Sequence, residues 1–210
     1  MRDGFSAEKW KYLLHTCSHP VDGYYWIRHR DRGSIWIAVL MVFLFSCSCT
    51  ANRLLSGFVV NDVDARTVNS LFELIAVLLL FLLLSVSNWS VTCLMNGEGR
   101  LKDIAIVIGY GTVPISCSLI LATAFSRVIA DKEEAFYFLL IAIGVTYGLI
   151  MMLIGIMQVH NYTLGKTVVT LILSFAAFLI MVFLILLMTH LLGMVAGFFR
   201  SVYTELVFRG

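Results

Sequence analysis

The chain has 210 residues, of which 60% are hydrophobic and 13% are charged, whereas a soluble domain carries about 25% charged residues. Its 15 basic and 13 acidic residues give a net charge of +2, a balance that argues against nucleic-acid binding. The five cysteines, an odd number, argue against a disulfide framework. The composition therefore predicts an integral membrane protein.

Residues 1–33 form a polar segment in which aromatic and basic side chains are interleaved. Such side chains favour the headgroup zone of a bilayer. We expect a short helix near the surface at 7–16 and a break at His19-Pro20, because the residue before a proline disfavours helix. An interfacial segment at 21–30 would then lead from this cytoplasmic or interfacial region into the first span.

Five apolar runs are long enough to cross a bilayer, which takes about 20 residues at roughly 1.5 Å each. The sequence predicts an all-α, polytopic membrane helix bundle with five transmembrane helices and short interfacial helices at both ends. Gly109, Gly111 and Pro114 predict a kink or a locally open backbone in the third span. The predicted spans are residues 34–52, 71–95, 104–125, 136–159 and 167–190, within a membrane domain assigned to 34–199.

The last apolar run, 167–199, carries no formal charge for 33 residues. As one helix it would be about 50 Å long, whereas the hydrocarbon core of a bilayer is about 30 Å thick. We therefore expect the helix to end near His190 and the chain to continue as a separate, interfacial carboxyl-terminal segment at 191–210.

With five spans, the two ends of the chain lie on opposite sides of the membrane. Nine Lys or Arg residues fall on the amino-terminal side and six on the other side, and the cytoplasmic side normally carries the excess. We expect a multi-pass protein of the cell membrane with its amino terminus in the cytoplasm and its carboxyl terminus outside.

A short polar stretch, 95–104, separates the second and third spans. Its two glycines permit a tight turn out of a helix, and its four charges within six residues must lie in water or among headgroups. A tight turn with headgroup contacts is favoured over a phosphate-binding loop, because a phosphate loop follows a strand and contains more glycine. A second polar turn, 158–166, faces the same side. The candidate partner-docking residues are Gly97, Glu98, Gly99, Arg100, Lys102 and Asp103.

Two polar side chains lie within predicted spans. Glu73 and His190 are functional candidates because ionisable groups in membranes are costly. Glu73 is only about one turn inside, however, so a structural role at the headgroups is favoured, and no proton-relay partner for His190 is evident. Small-residue patterns for helix packing, within the bundle or between subunits, are Gly144-x-x-x-Gly148 and Gly193-x-x-x-Gly197.

The sequence contains no nucleophile elbow, phosphate-binding motif, zincin motif or pair of catalytic carboxylates. His15, Cys17 and His19 are too few to complete a four-ligand zinc site. We expect a protein that is not an enzyme and that uses no cofactor and no metal.

Four stretches carry a family resemblance: residues 19–24 with the basic run ending at 33, residues 96–104 with the downstream Gly109-Tyr110 and Pro114, residues 160–167, and the tail 203–206. Together they resemble the Yip (Ypt-interacting protein) membrane family in its bacterial, Firmicute-type form. The resemblance implies five spans with a cytoplasmic amino terminus. Eukaryotic relatives are linked to Rab-type GTPases and vesicle traffic, a role that does not carry over to bacteria, where the resemblance implies an accessory subunit of a transport complex.

The leading hypothesis is a non-enzymatic accessory or scaffold subunit of a membrane complex, with a sugar transporter as the more specific version. Its partners would be membrane lipids and other membrane-protein subunits, not nucleic acid. The first alternative is a small transporter or channel, with Glu73, His190 and the broken third span lining its path. The second is a lipid-organising protein whose terminal segments lie in the interface.

Overall fold

The computed structural model describes residues 6–61, 63–130 and 133–208, except the side chain of Ala65. In these residues the regular structure is helical, as predicted, with seven α-helices and a 3-10 turn at Ala65–Thr67. The α-helices are α1 Ala7–Ser18, α2 Pro20–Arg30, α3 Ile35–Leu55, α4 Ser70–Leu94, α5 Leu101–Phe125, α6 Glu134–His160 and α7 Leu164–Phe208.

The helices α1 and α2 form a hairpin ahead of the first long helix. The side chain of Ser6 caps α1 by accepting a hydrogen bond from the amide of Lys9. Pro20 opens α2 at its first turn, where a proline costs no helical hydrogen bond, so the predicted break at this proline is confirmed. Tyr24 and Ile27 of α2 are fully buried, which shows that the hairpin packs onto the bundle.

The helices α3 to α7 are each long and apolar enough to cross a membrane, and the predicted number of five spans is confirmed. Because successive crossing helices alternate in direction, residues 6–34, 95–100 and 161–163 lie on one side of the bundle, here called the N-side face. Residues 56–61, 63–69, 126–130 and 133 lie on the other side, here called the opposite face. Arg2, Lys132 and Arg209, which entered the count of basic residues, lie outside the described residues.

The helix α7 differs from the prediction, because it runs without a break from Leu164 to Phe208. The prediction that the helix ends near His190 and that a separate carboxyl-terminal segment follows is therefore wrong. No proline interrupts this stretch, and a glycine inside a helix costs only about 1 kcal/mol, so Gly193 and Gly197 do not end it. Its 45 residues correspond to about 68 Å, more than twice the thickness of a hydrocarbon core.

The core of the bundle is formed by α5, which packs closely against α6 and α3. A Cβ atom built on Gly148 of α6 would lie 2.7 Å from the carbonyl oxygen of Gly111 on α5, so the two backbones are in direct contact. A locally open backbone in α5 is not found, because the helix continues through Pro114. Nearby, the Thr112 hydroxyl donates to the Gly109 carbonyl over 2.7 Å.

The helix α7 packs mainly against α4 and much less against α6. Its buried residues all lie in its first three turns and are small and polar: Thr167, Thr170 and Ser174. Beyond them no described residue of the helix is buried, and no described atom lies within 4 Å of a Cβ built on Gly193 or Gly197. The bundle therefore consists of a packed group, α3, α5 and α6, and a looser pair, α4 and α7.

Candidate functional site

Three helix ends meet on the N-side face, and each is closed by a residue in the left-handed conformation. These are Asp31, Asn96 and Asn161, with φ values of 49°, 53° and 54°. Among the described residues they are the only non-glycine residues with positive φ. A left-handed conformation at a residue other than glycine costs free energy and persists only where the surrounding structure holds it in place. The three helix ends on this face are therefore fixed by their surroundings.

The α4–α5 turn and the α6–α7 turn close their helices in the same way. After Asn96, the amide of Gly97 donates to the carbonyl of Thr92 over 2.8 Å; after Asn161, the amide of Tyr162 donates to that of Met157 over 3.0 Å. Each bond spans five residues, the pattern of a Schellman closure. The two polar turns, which were predicted to lie on the same side, thus share the same backbone hydrogen-bond pattern.

The glycines of the α4–α5 turn have a different role from the predicted one. None of the glycines that the structure describes has a positive φ. In this turn, Asn96 is the left-handed residue instead. A Cβ on Gly97 would lie 2.5 Å from Cδ2 of His160, and a Cβ on Gly99 would lie 2.6 Å from its Nε2. The two glycines are therefore required by close contact with the buried ring of His160.

His160 and Tyr162 join the two turns. The His160 ring is 1% exposed and stacks on Tyr162 with ring centroids 5.3 Å apart. Its Nδ1 lies 3.1 Å from the carbonyl of Ile156, while its Nε2 has no hydrogen-bond partner within the described chain. The Tyr162 hydroxyl donates to the carbonyl of Met95 over 3.1 Å, and Lys166 lies above the same ring. The two turns therefore form one rigid unit.

Arg100 connects this unit to the amino-terminal hairpin. Its Nε lies 2.9 Å from Oδ2 of Asp103 and its Nη2 lies 3.1 Å from Oδ1, which is a bidentate pair. A second bond from Nη2 reaches Asp31 at the end of α2. The Asp103 side chain is 1% exposed, while those of Arg100 and Asp31 are about half exposed. Hydrogen bonds to both carboxylates raise the pKa of Arg100 above its usual range.

The surface above this unit is polar and continuous. Asn96, Glu98 and Arg100 are exposed, and Lys102 is half-buried. Next to them, a groove of about 540 Å³ lies between α1 and the α2–α3 connector. Asp31 belongs to both regions, because it lines the groove and pairs with Arg100. The groove is lined by four basic side chains, two carboxylates, Tyr12 and His15: Glu8, Lys9, Lys11, Tyr12, His15, Arg30, Asp31 and Arg32.

The groove rests on a fixed base. Lys9 donates to the carbonyls of Asp31 and Gly33 over 3.1 and 2.6 Å, and the Tyr12 hydroxyl donates to the carbonyl of Gly23. Burial raises the pKa of Tyr12 to about 12 and that of the Cys17 thiol to about 11. Both groups are therefore uncharged at neutral pH, and the charge of this region comes from its exposed Lys, Arg, Asp and Glu residues.

The two intramembrane candidates do not join this site. Glu73 lies near the opposite face, where it accepts a hydrogen bond of 2.6 Å from Thr50 and forms an ion pair of 3.2 Å with Arg53. These bonds connect α3 to α4. His190 is exposed on α7. Groups of three or more metal-ligating residues are not found in the described part of the chain.

Sequence reasoning missed Asp31, His160 and Tyr162, although it placed both polar turns on one side. The available signal was indirect: each of the three residues lies at the end of a helix that reaches the same face. Nothing in the local sequence shows that the His160 ring enters the turn formed by Gly97 and Gly99. That contact depends on how α4, α5 and α6 pack.

Comparison with known proteins adds one finding. The family model described as the Yip1 domain matches residues 14–200, a region that includes both polar turns of the N-side site, half of the groove lining, and all five long helices except the end of α7. Curated proteins and solved structures gave no match to this chain.

Proposed function

This chain belongs to the Yip1 domain family, and on that premise we propose that it is a non-enzymatic protein of the cell membrane that docks other membrane-protein subunits on its N-side face. The observation that supports the proposal is the continuity of this face. The exposed residues of the α4–α5 turn and the basic groove beside α1 share Asp31 through its pair with Arg100.

A rigid, mixed-charge surface suits protein docking. Because the turn is held by Tyr162, His160 and the Arg100–Asp103 pair, it loses little conformational freedom when a partner binds. Opposite charges on adjoining regions give orientation and specificity more than raw affinity. We further propose that this face is cytoplasmic, since the basic residues are in excess on this side.

The finer version of the proposal is an accessory or scaffold subunit of a transport complex, with sugars as the proposed substrate class. It is supported by the resemblance to bacterial members of the family. The alternative, a transporter or channel in its own right, gains no support from the geometry. The cavity within the bundle is lined by neither Glu73 nor His190. The Glu73 carboxylate already accepts a hydrogen bond from Thr50 and pairs with Arg53.

The test is co-purification of the full chain from native membranes in a mild detergent. Glu98→Lys and Lys11→Glu reverse charges on the two parts of the proposed surface without touching the Arg100–Asp103 pair. We expect each variant to reduce the amount of the co-purified subunit by about tenfold, the effect of roughly 1.4 kcal/mol, with unchanged thermal stability.

The matched control is Glu205→Lys, a reversal of an exposed charge on α7, which should leave the complex intact. Partner recovery that is equal in wild type, Glu98→Lys and Lys11→Glu would reject the docking face. A chain that purifies only as a solitary monomer would reject the proposed function as a whole.

A further inference from the structure

A cavity of about 470 Å³ lies inside the membrane-spanning part of the bundle, between the packed group of helices and the looser pair α4 and α7. All five long helices contribute to its lining, which is almost entirely aliphatic and aromatic. Among the described residues, no charged side chain lines the cavity. Its size and apolar lining are those of small-ligand sites in proteins.

The polar lining of the cavity is concentrated at its N-side half. Asn88 lies six residues from the end of α4 at Leu94, about 9 Å below the helix end. Ser87, Thr112 and Ser174 lie slightly deeper, at about 10–17 Å from the N-side ends of their helices. The other lining residues are apolar: some lie at the depth of the polar ones, such as Ile108 on α5 and Ile156 on α6, and those that lie deeper, toward Val77, are all apolar. The few polar groups of the cavity thus lie toward the N-side face, and its deep end is entirely apolar.

One polar atom in this cavity is unsatisfied. The Asn88 side chain is 5% exposed, and its Nδ2 donates to the Ser174 hydroxyl over 3.0 Å, but its Oδ1 has no hydrogen-bond partner within the described chain. A buried acceptor without a donor costs about 1–3 kcal/mol. An occupant that supplies a donor at this depth would remove that cost.

The cavity is open to the side. Leu149 on α6 and Phe175 on α7 both line it, and they are 58% and 59% exposed. Because α7 makes few contacts with α6, the gap between these helices leads directly into the surrounding bilayer. A membrane lipid can therefore enter without unfolding the bundle.

We propose that this cavity binds one uncharged membrane lipid with a free hydroxyl, of the diacylglycerol type, whose hydroxyl bonds to Asn88 and whose acyl chain extends toward the middle of the bilayer. A hydroxyl fits the site because it both donates and accepts, so it satisfies either orientation of the amide. A charged headgroup does not fit, because its transfer to an apolar site without a counter-charge is costly. Water alone does not fit either, since one molecule takes up about 30 Å³ and needs several polar partners.

The experiment uses the full chain in phosphatidylcholine nanodiscs that contain a diacylglycerol with a photoreactive acyl chain. We expect labelling on α4, α6 and α7 around the cavity. A matched probe with an acetylated hydroxyl, and a photoreactive phosphatidylcholine, should each label these sites about tenfold less, the effect of one lost hydrogen bond.

Variants of the chain complete the test. Asn88→Leu combined with Ser174→Ala removes both partners of the internal bond, and should reduce labelling by the hydroxyl probe about tenfold. Leu84→Trp fills the cavity and should abolish labelling. Ser90→Leu, on the exposed face of the same helix, should label like wild type.

Equal labelling by the hydroxyl, acetylated and phosphatidylcholine probes would overturn the proposal. So would undiminished labelling of the Asn88→Leu/Ser174→Ala variant. The paired variant replaces an unsatisfied polar group with apolar atoms, so we expect it to fold, and its thermal stability is measured alongside.

Discussion

The helices α5 and α7 are both apolar enough to cross a membrane, yet their positions in the bundle are opposite. Half of the apolar stretch of α5 is buried, whereas 6% of that of α7 is, although α7 is the more apolar of the two. Lipid tails are as apolar as leucine, so hydrophobicity does not drive helices together within a bilayer. Small and hydrogen-bonding residues do, and α5 has the higher proportion of them: Gly, Ala, Ser and Thr make up 9 of its 25 residues, against 12 of the 45 in α7.

The buried residues of the looser pair follow the same rule. In α7 they are Thr167, Thr170 and Ser174, and in α4 they include Ser85, Ser87 and Thr92. Most of the large aliphatic residues of α7 are exposed, whereas α4 also buries Leu83 and Val91. The comparison therefore predicts that substitutions along α5 and its contacts are costly, while equivalent substitutions along α7 are not.

The largest effect is expected at Asp103, in the first turn of α5. Asp103→Leu removes the three bonds that Arg100 makes to this carboxylate and should lower the free energy of unfolding by about 3 kcal/mol. Glu205→Leu, the matched change on α7, should change it by less than about 0.5 kcal/mol. Thermal unfolding of the variants in one detergent measures both values.

A second variant separates the ion pair from general disruption. Asp103→Leu combined with Arg100→Met replaces both partners by apolar groups, which is often close to neutral, and should recover at least half of the lost stability. A double variant that is no more stable than Asp103→Leu alone would contradict this assignment.

The next effect is expected where α5 meets α6. Gly148→Leu places a side chain against the backbone of α5, 2.7 Å from the Gly111 carbonyl oxygen at Cβ, and overpacking of this kind costs about 2 kcal/mol. Gly197→Leu on α7 meets open space and should leave the melting temperature unchanged. If the two variants were equally unstable, α7 would have to be packed against other atoms around Gly197 in the purified protein.

A smaller effect is expected in the α4–α5 turn. Gly99→Ala brings a methyl group against the His160 ring and should cost about 1 kcal/mol, while Gly165→Ala, where a Cβ meets no described atom within 4 Å, should be neutral or slightly stabilising. His160→Ala in the Gly99→Ala background creates space and should reduce the penalty. Thermal unfolding again reports the differences, and a penalty that persists in the double variant would exclude the ring contact as its cause.

The smallest effect is expected from shortening α7. A chain that ends at His190 removes the exposed final turns of the helix, none of whose described residues is buried, and should change the free energy of unfolding by less than about 0.5 kcal/mol. A large loss of stability would show that these turns pack against something in the native assembly.

The number of spans, the approximate bounds of the first four and the position of both polar turns were predictable from the sequence, whereas the end of the fifth span was not. Each depends on a local property: the length of an apolar run sets whether it can cross a bilayer, and a cluster such as Glu98 to Asp103 cannot remain in hydrocarbon. The helix break at Pro20 was predictable for the same reason, because the ring geometry of proline acts on its immediate neighbours.

The tertiary structure alone decided the contacts between these elements. It assigned the left-handed turn to Asn96, not to the glycines, and placed His160 under Gly97 and Gly99. It also joined Asp31 to Arg100 across 69 positions of the chain. Apolar periodicity carries no information about which helices touch in a bilayer, because every face is apolar; the contacts depend on small residues and hydrogen bonds distant in sequence.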